Sequence, residues 1–307
     1  MSKFKGRYPN RKTRNTIEGF LIIAVIAVAA LINFHARFEQ AGERAEEAAY
    51  LGDYLSVHYI DVGQGDASLI ISPSGECMLI DAGPAASSDY LLKYLRDYNA
   101  SHLKYLIITH PHEDHYGGAA DIIKNIEIDN LVILGDFEDV YPYDRFIYMT
   151  AHSRLSPDAN ILKVKVGDRL SLSDGANFAI VSPSAVDFDD YNESSLAIRL
   201  VYGDTSFLFT GDAEKGAEKD MIWSGYDIKS DVYKAGHHGS STSSSEIFLC
   251  EVDPKIAVIS CGKNNSYGHP HKSVLKSFKE LGIEYYRTDE DGDVVIISDG
   301  VTVKKAA

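Results

Sequence analysis

The sequence is poor in cysteine and tryptophan. Only three of its 307 residues are cysteine and one is tryptophan. Cys77, Cys250 and Cys261 are an odd number, and none has the C-x-x-C spacing of a thiolate metal site. A Cys250–Cys261 disulfide is conceivable, but the count excludes a disulfide scaffold. The sequence also has no repeat of 20–50 residues, which excludes a solenoid.

Positive charge is scarce outside the N-terminus. The whole chain carries −15, and the six Lys and Arg residues before Glu18 carry +6, which leaves −21 for the remainder. Non-specific binding to duplex DNA normally depends on Lys and Arg contacts to phosphate. The charge therefore argues against a high-affinity DNA-binding protein. Four basic residues lie in or near the motifs described below: Lys234, Lys263, Lys272 and Arg287. They either form a local positive rim around those motifs or are ordinary surface residues.

One long apolar run follows the basic N-terminus. Gly19–Phe34 is an uncharged run, slightly shorter than the ~17–25 residues of a spanning helix and slightly longer than the ~7–15 of a signal-peptide core. No small-x-small cleavage site follows it, so we expect an uncleaved single-pass anchor, with secretion after cleavage as the alternative. The basic end stays in the cytoplasm and the domain lies outside the cell. The expected segments are a cytoplasmic tail (1–16), a membrane helix (17–35), a helical stalk (36–52) and a large globular domain (53–307).

Short apolar runs recur through the rest of the chain, separated by helical or loop stretches. Strands that alternate with helices favour an α/β (α+β) domain in which helices cover the outer faces of the sheets. The nine predicted strands are 67–72, 77–82, 104–108, 131–134, 178–182, 196–201, 205–210, 256–260 and 293–298.

A polar segment directly follows the apolar run Tyr105–Ile108. Thr109–Gly118 offers three imidazoles and a carboxylate in the spacing His-x-His-x-Asp-His. Imidazole and carboxylate suit Zn²⁺ and similar divalent ions, and ligands from a single loop leave coordination positions open for water. A solvated loop without a metal is the alternative, but four ligand-type residues at this spacing favour a metal site.

Three further strands end on ligand-type residues. Cys77–Gly83 ends in Asp-x-Gly, Ser206–Asp212 ends on a carboxylate, and Val232–Ser240 supplies a pair of histidines. Together with the first motif, these segments resemble the signature of the metallo-β-lactamase superfamily. The resemblance implies a four-layer αββα sandwich, with two mixed sheets face to face and the metal site along one edge.

The resemblance also assigns roles to these residues. It implies one or two divalent ions, Zn or Mn, with Asp81 orienting a metal-bound histidine and Asp66 supporting the ligands from behind. One ion is expected on His110 and His112, with Asp212 bridging to a second. The ligands expected for that second ion are Asp114, His115 and His237.

A narrower resemblance covers about residues 55–300. Val57–Ala67, Asn192–Leu196, His237–Ser240 and Tyr267–Pro270 are similar to segments of the hydrolase domain of ComEC-type competence proteins. This similarity implies a set of substrate contacts: Asn192, His238, Ser240 and His269. The alternative for His269 is a purely structural role, in a turn before a predicted helix at 271–281.

The penicillin-cleaving members of the superfamily usually carry another histidine ligand between the first motif and the bridging aspartate. This chain has no counterpart of that ligand. The only histidine between the first motif and Asp212 is His152, in a polar stretch that we interpret as solvated. Asn192 stands where that ligand would come. One metal position is therefore expected to be poor in ligands.

The expected chemistry is metal-assisted hydrolysis. A water shared by the ions loses a proton near neutral pH, and the hydroxide attacks phosphorus or a carbonyl. Asp114 and Asp212 are the expected catalytic residues, with Asp114 doubling as a proton acceptor. The sequence thus predicts an outward-facing, membrane-anchored metal hydrolase that acts on phosphodiesters, with DNA as a candidate substrate. A lactonase, a β-lactamase-like amide hydrolase and a metal-free binding module are the alternatives.

Overall fold

Strands and helices alternate along the described part of the chain. The computed structural model describes residues 25, 26, 28, 29 and 51–306. In residues 51–306 the strands are, in chain order, β1 (Leu55–Tyr59), β2 (Ser68–Ile71), β3 (Cys77–Ile80), β4 (His102–Leu103), β5 (Tyr105–Ile107), β6 (Glu127–Ile128), β7 (Asn130–Leu134), β8 (Asn160–Val164), β9 (Arg169–Ser171), β10 (Asn177–Ser182), β11 (Ala197–Tyr202), β12 (Thr205–Phe209), β13 (Val232–Lys234), β14 (Ile256–Ile259), β15 (Glu284–Arg287), β16 (Val294–Ser298) and β17 (Val303–Lys305).

The α-helices lie between these strands. Those of residues 51–306 are α1 (Ser88–Asp97), α2 (Glu113–Tyr116), α3 (Ala119–Asn125), α4 (Tyr143–Ala151), α5 (Lys215–Trp223), α6 (Glu246–Val252), α7 (Lys272–Leu281) and α8 (Thr288–Asp291). The predicted helix at 271–281 is confirmed as α7. Its buried Val274 and Phe278 are four residues apart and share one face. It ends at Gly282, whose positive φ of 72° suits the residue that follows a helix.

The strands form two large mixed sheets. The first has the order β17-β16-β1-β2-β3-β5-β7-β8, and the second has the order β15-β14-β13-β12-β11-β10-β9. Each sheet contains a run of four parallel strands, β3-β5-β7-β8 in the first and β12-β13-β14-β15 in the second. Each of the nine predicted strands overlaps an observed strand.

The two sheets pack face to face. The ring of Tyr59 on β1 stacks on that of Phe209 on β12, with centroids 6.0 Å apart, and the hydroxyl groups of Thr205 and Ser298 hydrogen-bond at 2.7 Å. Helix α4 packs on the first sheet and α5 on the second. The sandwich of sheets with outer helices, predicted by resemblance, is confirmed for this part of the chain.

The N-terminal predictions fall mainly outside the described residues. The tail at 1–16, most of the membrane helix at 17–35 and the stalk at 36–50 lie there, while residues 25, 26, 28 and 29 are helical. Among the residues that the structure describes, no helix is both long and apolar enough to cross a membrane. Residues 51–306 belong to one compact unit. Cys250 and Cys261 are both free thiols, so the conceivable disulfide does not form.

The parallel strands bring distant polar residues to one edge of the sandwich. In such sheets the carboxyl ends of the strands open onto a common crevice, where ligands generally bind. β3 is followed by Asp81, β5 leads into His110, and β12 leads into Asp212. β13 ends at Lys234, just before the histidine pair. The predicted ligand segments therefore meet although they are far apart in sequence.

Candidate metal centre

Four side chains form a compact group of ligand atoms at this edge. Asp114, His115, Asp212 and His238 each offer one atom, and these atoms lie within 4.8 Å of one another. We call them the four-residue cluster. His115 Nε2 lies 3.2 Å from Asp212 Oδ1, and His238 Nε2 lies 3.3 Å from Asp114 Oδ2 and 3.5 Å from Asp212 Oδ2. Asp212 is thus the central member.

The other two histidines of the first motif lie beside the cluster. His110 Nε2 is 3.1 Å from His112 Nδ1 and 4.0 Å from Asp212 Oδ2. His110 is completely buried, whereas His112 is partly exposed and lines the adjoining pocket. His110 therefore reaches the same carboxylate oxygen of Asp212 that His238 approaches.

Asp81 lies behind His115 and fixes its orientation. Asp81 accepts hydrogen bonds from the backbone and hydroxyl groups of Thr109, both at 2.8 Å. Its Oδ2 atom also lies 2.8 Å from His115 Nδ1. A carboxylate on one ring nitrogen leaves the opposite nitrogen, Nε2, directed into the cluster as an available ligand.

Asp66 lies behind His238 in a similar way. Its Oδ1 is 3.2 Å from His238 Nδ1, and the same nitrogen donates to the carbonyl oxygen of Ser260 at 3.0 Å. The ammonium group of Lys234 contacts Asp66 Oδ2. Lys234 is only 2% exposed, so the interpretation of this lysine as a surface residue is wrong.

The structure separates the two neighbouring histidines. His238 is buried within the cluster, whereas His237 is partly exposed, with Nε2 3.6 Å from Asp212 Oδ2. His237 Nδ1 lies 3.1 Å from Glu214 Oε1 and 3.2 Å from Thr242 Oγ1. Both histidines have left-handed φ angles, 48° and 55°, which cost of order 1–3 kcal/mol each and often occur at functional sites. His238, predicted as a substrate contact, thus lies within the four-residue cluster, whereas His237, predicted as a metal ligand, lies at its edge.

The cluster forms the floor of an open pocket of about 580 Å³. Asn192 and His269, both predicted substrate contacts, line it. Ser240 is buried outside the lining, and its hydroxyl accepts hydrogen bonds from the backbone and side chain of Thr242. His152 is exposed and stacks on Tyr148 at 4.2 Å, outside this pocket. The full lining comprises Gln64, His112, Glu113, Asp114, Asn192, Asp212, His237, His238, Tyr267 and His269.

The residue types fit a divalent ion, and the carboxylates are ionised. Burial would raise the pKa of Asp212, but the positive charges of His238 and His115 lower it well below its usual range. Burial likewise opposes the ionisation of Asp114, but the imidazole of His238, 3.3 Å away, and the charge of His115 lower its pKa to about 2. Burial lowers the pKa of His115 and His238, but the neighbouring carboxylates, Asp212 first among them, raise both well above the usual range, so a metal that binds here would displace a proton from each imidazole.

Several ligand atoms also lack an ordinary partner. Among the described residues, His115 Nε2, His238 Nε2 and Asp212 Oδ1 are buried and make no hydrogen bond of normal geometry. Buried polar atoms are seldom left this way, because each unsatisfied group costs roughly 1–3 kcal/mol. A cation in the middle of the cluster would satisfy all three.

The fold and this ligand set define a metal-dependent hydrolase class. The sequence pattern of the metallo-beta-lactamase superfamily matches residues 60–263, and the chain belongs to that superfamily. The chain is similar to ComE operon protein 3 of Bacillus subtilis (strain 168), at 35% identity over 255 residues that cover 78% of this chain and 32% of that protein. The resemblance predicted from the motifs is confirmed.

Two further likenesses agree with this assignment. Recombination protein 2 of Haemophilus influenzae is 34% identical over 243 residues, which are 78% of this chain and 28% of that protein. The chain thus spans about a third of the length of these relatives. Igni18, a metallo hydrolase from Ignicoccus hospitalis, superposes with a TM-score of 0.51 at 14% identity over 78% of this chain and 98% of that chain. This last likeness shows the fold alone.

Four residues of the site were not assigned a role in it from sequence. Gln64, Glu113 and Tyr267 line the pocket, and Lys234 is buried against Asp66. All four lie inside the motifs quoted for the resemblance. The sequence motifs therefore included these residues, but neither their spacing nor their type distinguished them from ordinary loop and surface residues.

Proposed function

We propose that this protein hydrolyses phosphodiesters with the help of one or two divalent ions, Zn or Mn. The observation that carries the proposal is the four-residue cluster at the floor of an open pocket. His110 and His112 would hold one ion, Asp114, His115 and His238 would hold the other, and Asp212 would contribute to both. When bound, such ions supply Lewis acidity and lower the pKa of water.

The chain's own residues then have distinct tasks. Asp81 and Asp66 hold His115 and His238 in orientation, as their contacts with the Nδ1 atoms indicate. Asp114 is 30% exposed at its side chain and faces the pocket, so it is placed to accept a proton during the reaction. Asn192 and His269, on the pocket wall, are placed to contact the substrate.

A phosphodiester fits the pocket better than a lactone or a β-lactam. The lining is almost entirely imidazole, carboxylate and amide, whereas pockets for small organic ligands are mostly apolar. The lining also contains no Lys or Arg, so a phosphate would be held by the ions and the imidazoles. Two relatives are named for recombination and for the ComE operon, which supports DNA as a candidate substrate.

An activity screen tests the proposal. The full chain, supplied with Zn²⁺ or Mn²⁺, is assayed on bis-p-nitrophenyl phosphate, single- and double-stranded DNA, nitrocefin and a lactone. We expect phosphodiester cleavage that disappears in Asp212→Ala together with bound metal. The exposed His152→Ala variant is the control and should keep both. Turnover of nitrocefin or the lactone without phosphodiester cleavage would replace the proposal with an amide or ester hydrolase.

We further propose that residues 17–35 anchor the protein in the membrane, with the catalytic domain outside. The uncharged run at 19–34 and the six basic residues before Glu18 support this orientation. Protease added to intact cells should remove the domain and leave the N-terminal tail protected. Recovery of the full chain from the culture medium, or protection of the domain, would contradict the anchor.

A further inference from the structure

The segment from Gly262 to His269 forms a loop that one asparagine holds in a fixed shape. Asn265 Oδ1 accepts hydrogen bonds from the backbone nitrogens of Tyr267 at 3.2 Å and His269 at 3.0 Å. Its Nδ2 donates to the carbonyl oxygens of Gly262 at 2.9 Å and His269 at 2.6 Å. The loop is therefore organised by its own side chain before any substrate arrives.

This loop presents an aromatic ring at the edge of the pocket. The side chain of Tyr267 is 64% exposed although it lines the pocket. Its ring lies nearly parallel to that of His269, with centroids 5.5 Å apart and 22° between the planes. His269 is in turn nearly parallel to His238, at 6.3 Å and 28°. Three stacked rings thus lead from solvent to the four-residue cluster.

An exposed ring in a fixed loop contributes little to folding, but it is well suited to stacking on a planar ligand. A tyrosine that is already ordered loses little conformational entropy on binding. Stacking of a base on an aromatic side chain is worth ~1–3 kcal/mol and does not depend on the sequence. The mostly exposed ring of Tyr267 is available to such a partner.

We propose that Tyr267 stacks on an unpaired nucleobase next to the phosphodiester that is cleaved, which makes single-stranded nucleic acid the preferred substrate. This inference rests on the proposed function. In a duplex each base is already paired and stacked, so its face is not available to Tyr267. The pocket lining has no Lys or Arg, and the chain beyond its basic N-terminus carries −21. Neither feature provides the Lys and Arg contacts to phosphate that duplexes and single strands otherwise use, so stacking on an exposed base is the contact that remains beside the ions.

Four substrates and two variants test the inference. Single strands of DNA and RNA, the matched DNA duplex, and a fully abasic single strand with the same backbone are compared with Mn²⁺ present. Tyr267→Ala should lower kcat/KM on single strands by about 5- to 150-fold, the equivalent of the stacking energy. Tyr267→Phe keeps the ring and should retain most of the activity. On the abasic strand, Tyr267→Ala should match the unmodified protein.

Binding provides a second readout that does not need turnover. With a labelled single strand whose phosphorothioate linkages resist cleavage, fluorescence anisotropy should show that Tyr267→Ala weakens binding by a similar factor, while bound metal is unchanged. Equal affinity with and without the ring, or an equal loss on the duplex and the abasic strand, would overturn the stacking role. Cleavage of oligonucleotides with no effect of Tyr267→Ala would overturn it and leave the proposed function standing. A protein that neither cleaves nor binds nucleic acid would overturn the stacking role, and one that also leaves bis-p-nitrophenyl phosphate intact would overturn both.

Discussion

The ammonium group of Lys234 lies against the carboxylate of Asp66, and both side chains are almost completely buried. Asp66 also contacts His238 Nδ1 at 3.2 Å, so the lysine is linked through one carboxylate to the four-residue cluster. Burial would raise the pKa of Asp66, but the charges of Lys234 and His238 lower it to about 2. Lys234 therefore keeps the Asp66 carboxylate ionised, although burial removes both side chains from water.

We expect Lys234→Met to destabilise the protein strongly. Removing one partner of a buried ion pair leaves the other charge without compensation and typically costs about 3–5 kcal/mol. The free energy of unfolding in urea, measured at constant metal content, gives the loss. Lys229→Met is the matched control, because Lys229 pairs with Asp253 at 2.8 Å on the surface, where such pairs contribute ~0–1 kcal/mol. Equal losses in the two variants would contradict the role of the buried pair.

The neighbouring histidines should differ in their effect on metal binding. His238→Ala removes a nitrogen that lies 3.3 Å from Asp114 and 3.5 Å from Asp212, so we expect it to lose about one equivalent of bound metal. His237→Ala removes a side chain at the edge of the cluster and should keep the metal. Elemental analysis of purified protein, with circular dichroism as the check on folding, measures both. Loss of metal in His237→Ala alone would return the ligand role to His237.

Much of the fold could be predicted because its central strands are uniformly apolar. β3, β14 and the Leu131–Leu134 part of β7 are continuous runs of buried apolar residues, and such runs stand out in a sequence. Among the strands that were missed, β8 and β9 are mostly polar or partly exposed. An edge strand depends on its neighbour's backbone for hydrogen bonds, and its own side chains give little sign of it.

The candidate site was predictable where ligand-type residues follow predicted strands, as Asp81 and Asp212 do. The choice between His237 and His238 was not, because it depends on two left-handed backbone angles and on the carbonyl oxygen of Ser260. The burial of Lys234 was also invisible, since its partner Asp66 comes from a distant segment. Local spacing carries no information about such contacts.

Asp81 offers a test of how strongly a supporting carboxylate affects the metal. Asp81→Asn keeps the shape of the side chain but removes the charge that lies 2.8 Å from His115 Nδ1. We expect metal affinity, measured by competition with a chelator, to fall by roughly 10- to 100-fold. Asp129→Asn is the control, because Asp129 lies 2.8 Å from the exposed His102. An Asp81→Asn protein that binds metal as tightly as the control would show that His115 does not need this partner.

Asn192 makes the identity of the preferred metal testable. Its Oδ1 atom is buried and, within the described part of the chain, has no hydrogen-bond partner, although the residue lines the pocket. A neutral amide oxygen is a poorer ligand for Zn²⁺ than imidazole and suits harder ions such as Mn²⁺. We therefore expect phosphodiester cleavage to rise when Mn²⁺ is supplied, and zinc to be substoichiometric after ordinary purification.

Replacing this amide with an imidazole should reverse the preference. Asn192→His should retain more zinc through purification and should shift the higher phosphodiesterase rate from Mn²⁺ toward Zn²⁺, whereas Asn192→Ala, which offers no ligand, should not. Elemental analysis and rates on bis-p-nitrophenyl phosphate with each metal measure both effects. Nitrocefin should remain a poor substrate for the unmodified protein with either ion, because the pocket is polar and has no histidine in place of Asn192. A protein that already binds zinc at full stoichiometry and gains nothing from Mn²⁺ would show that Asn192 does not weaken a metal position.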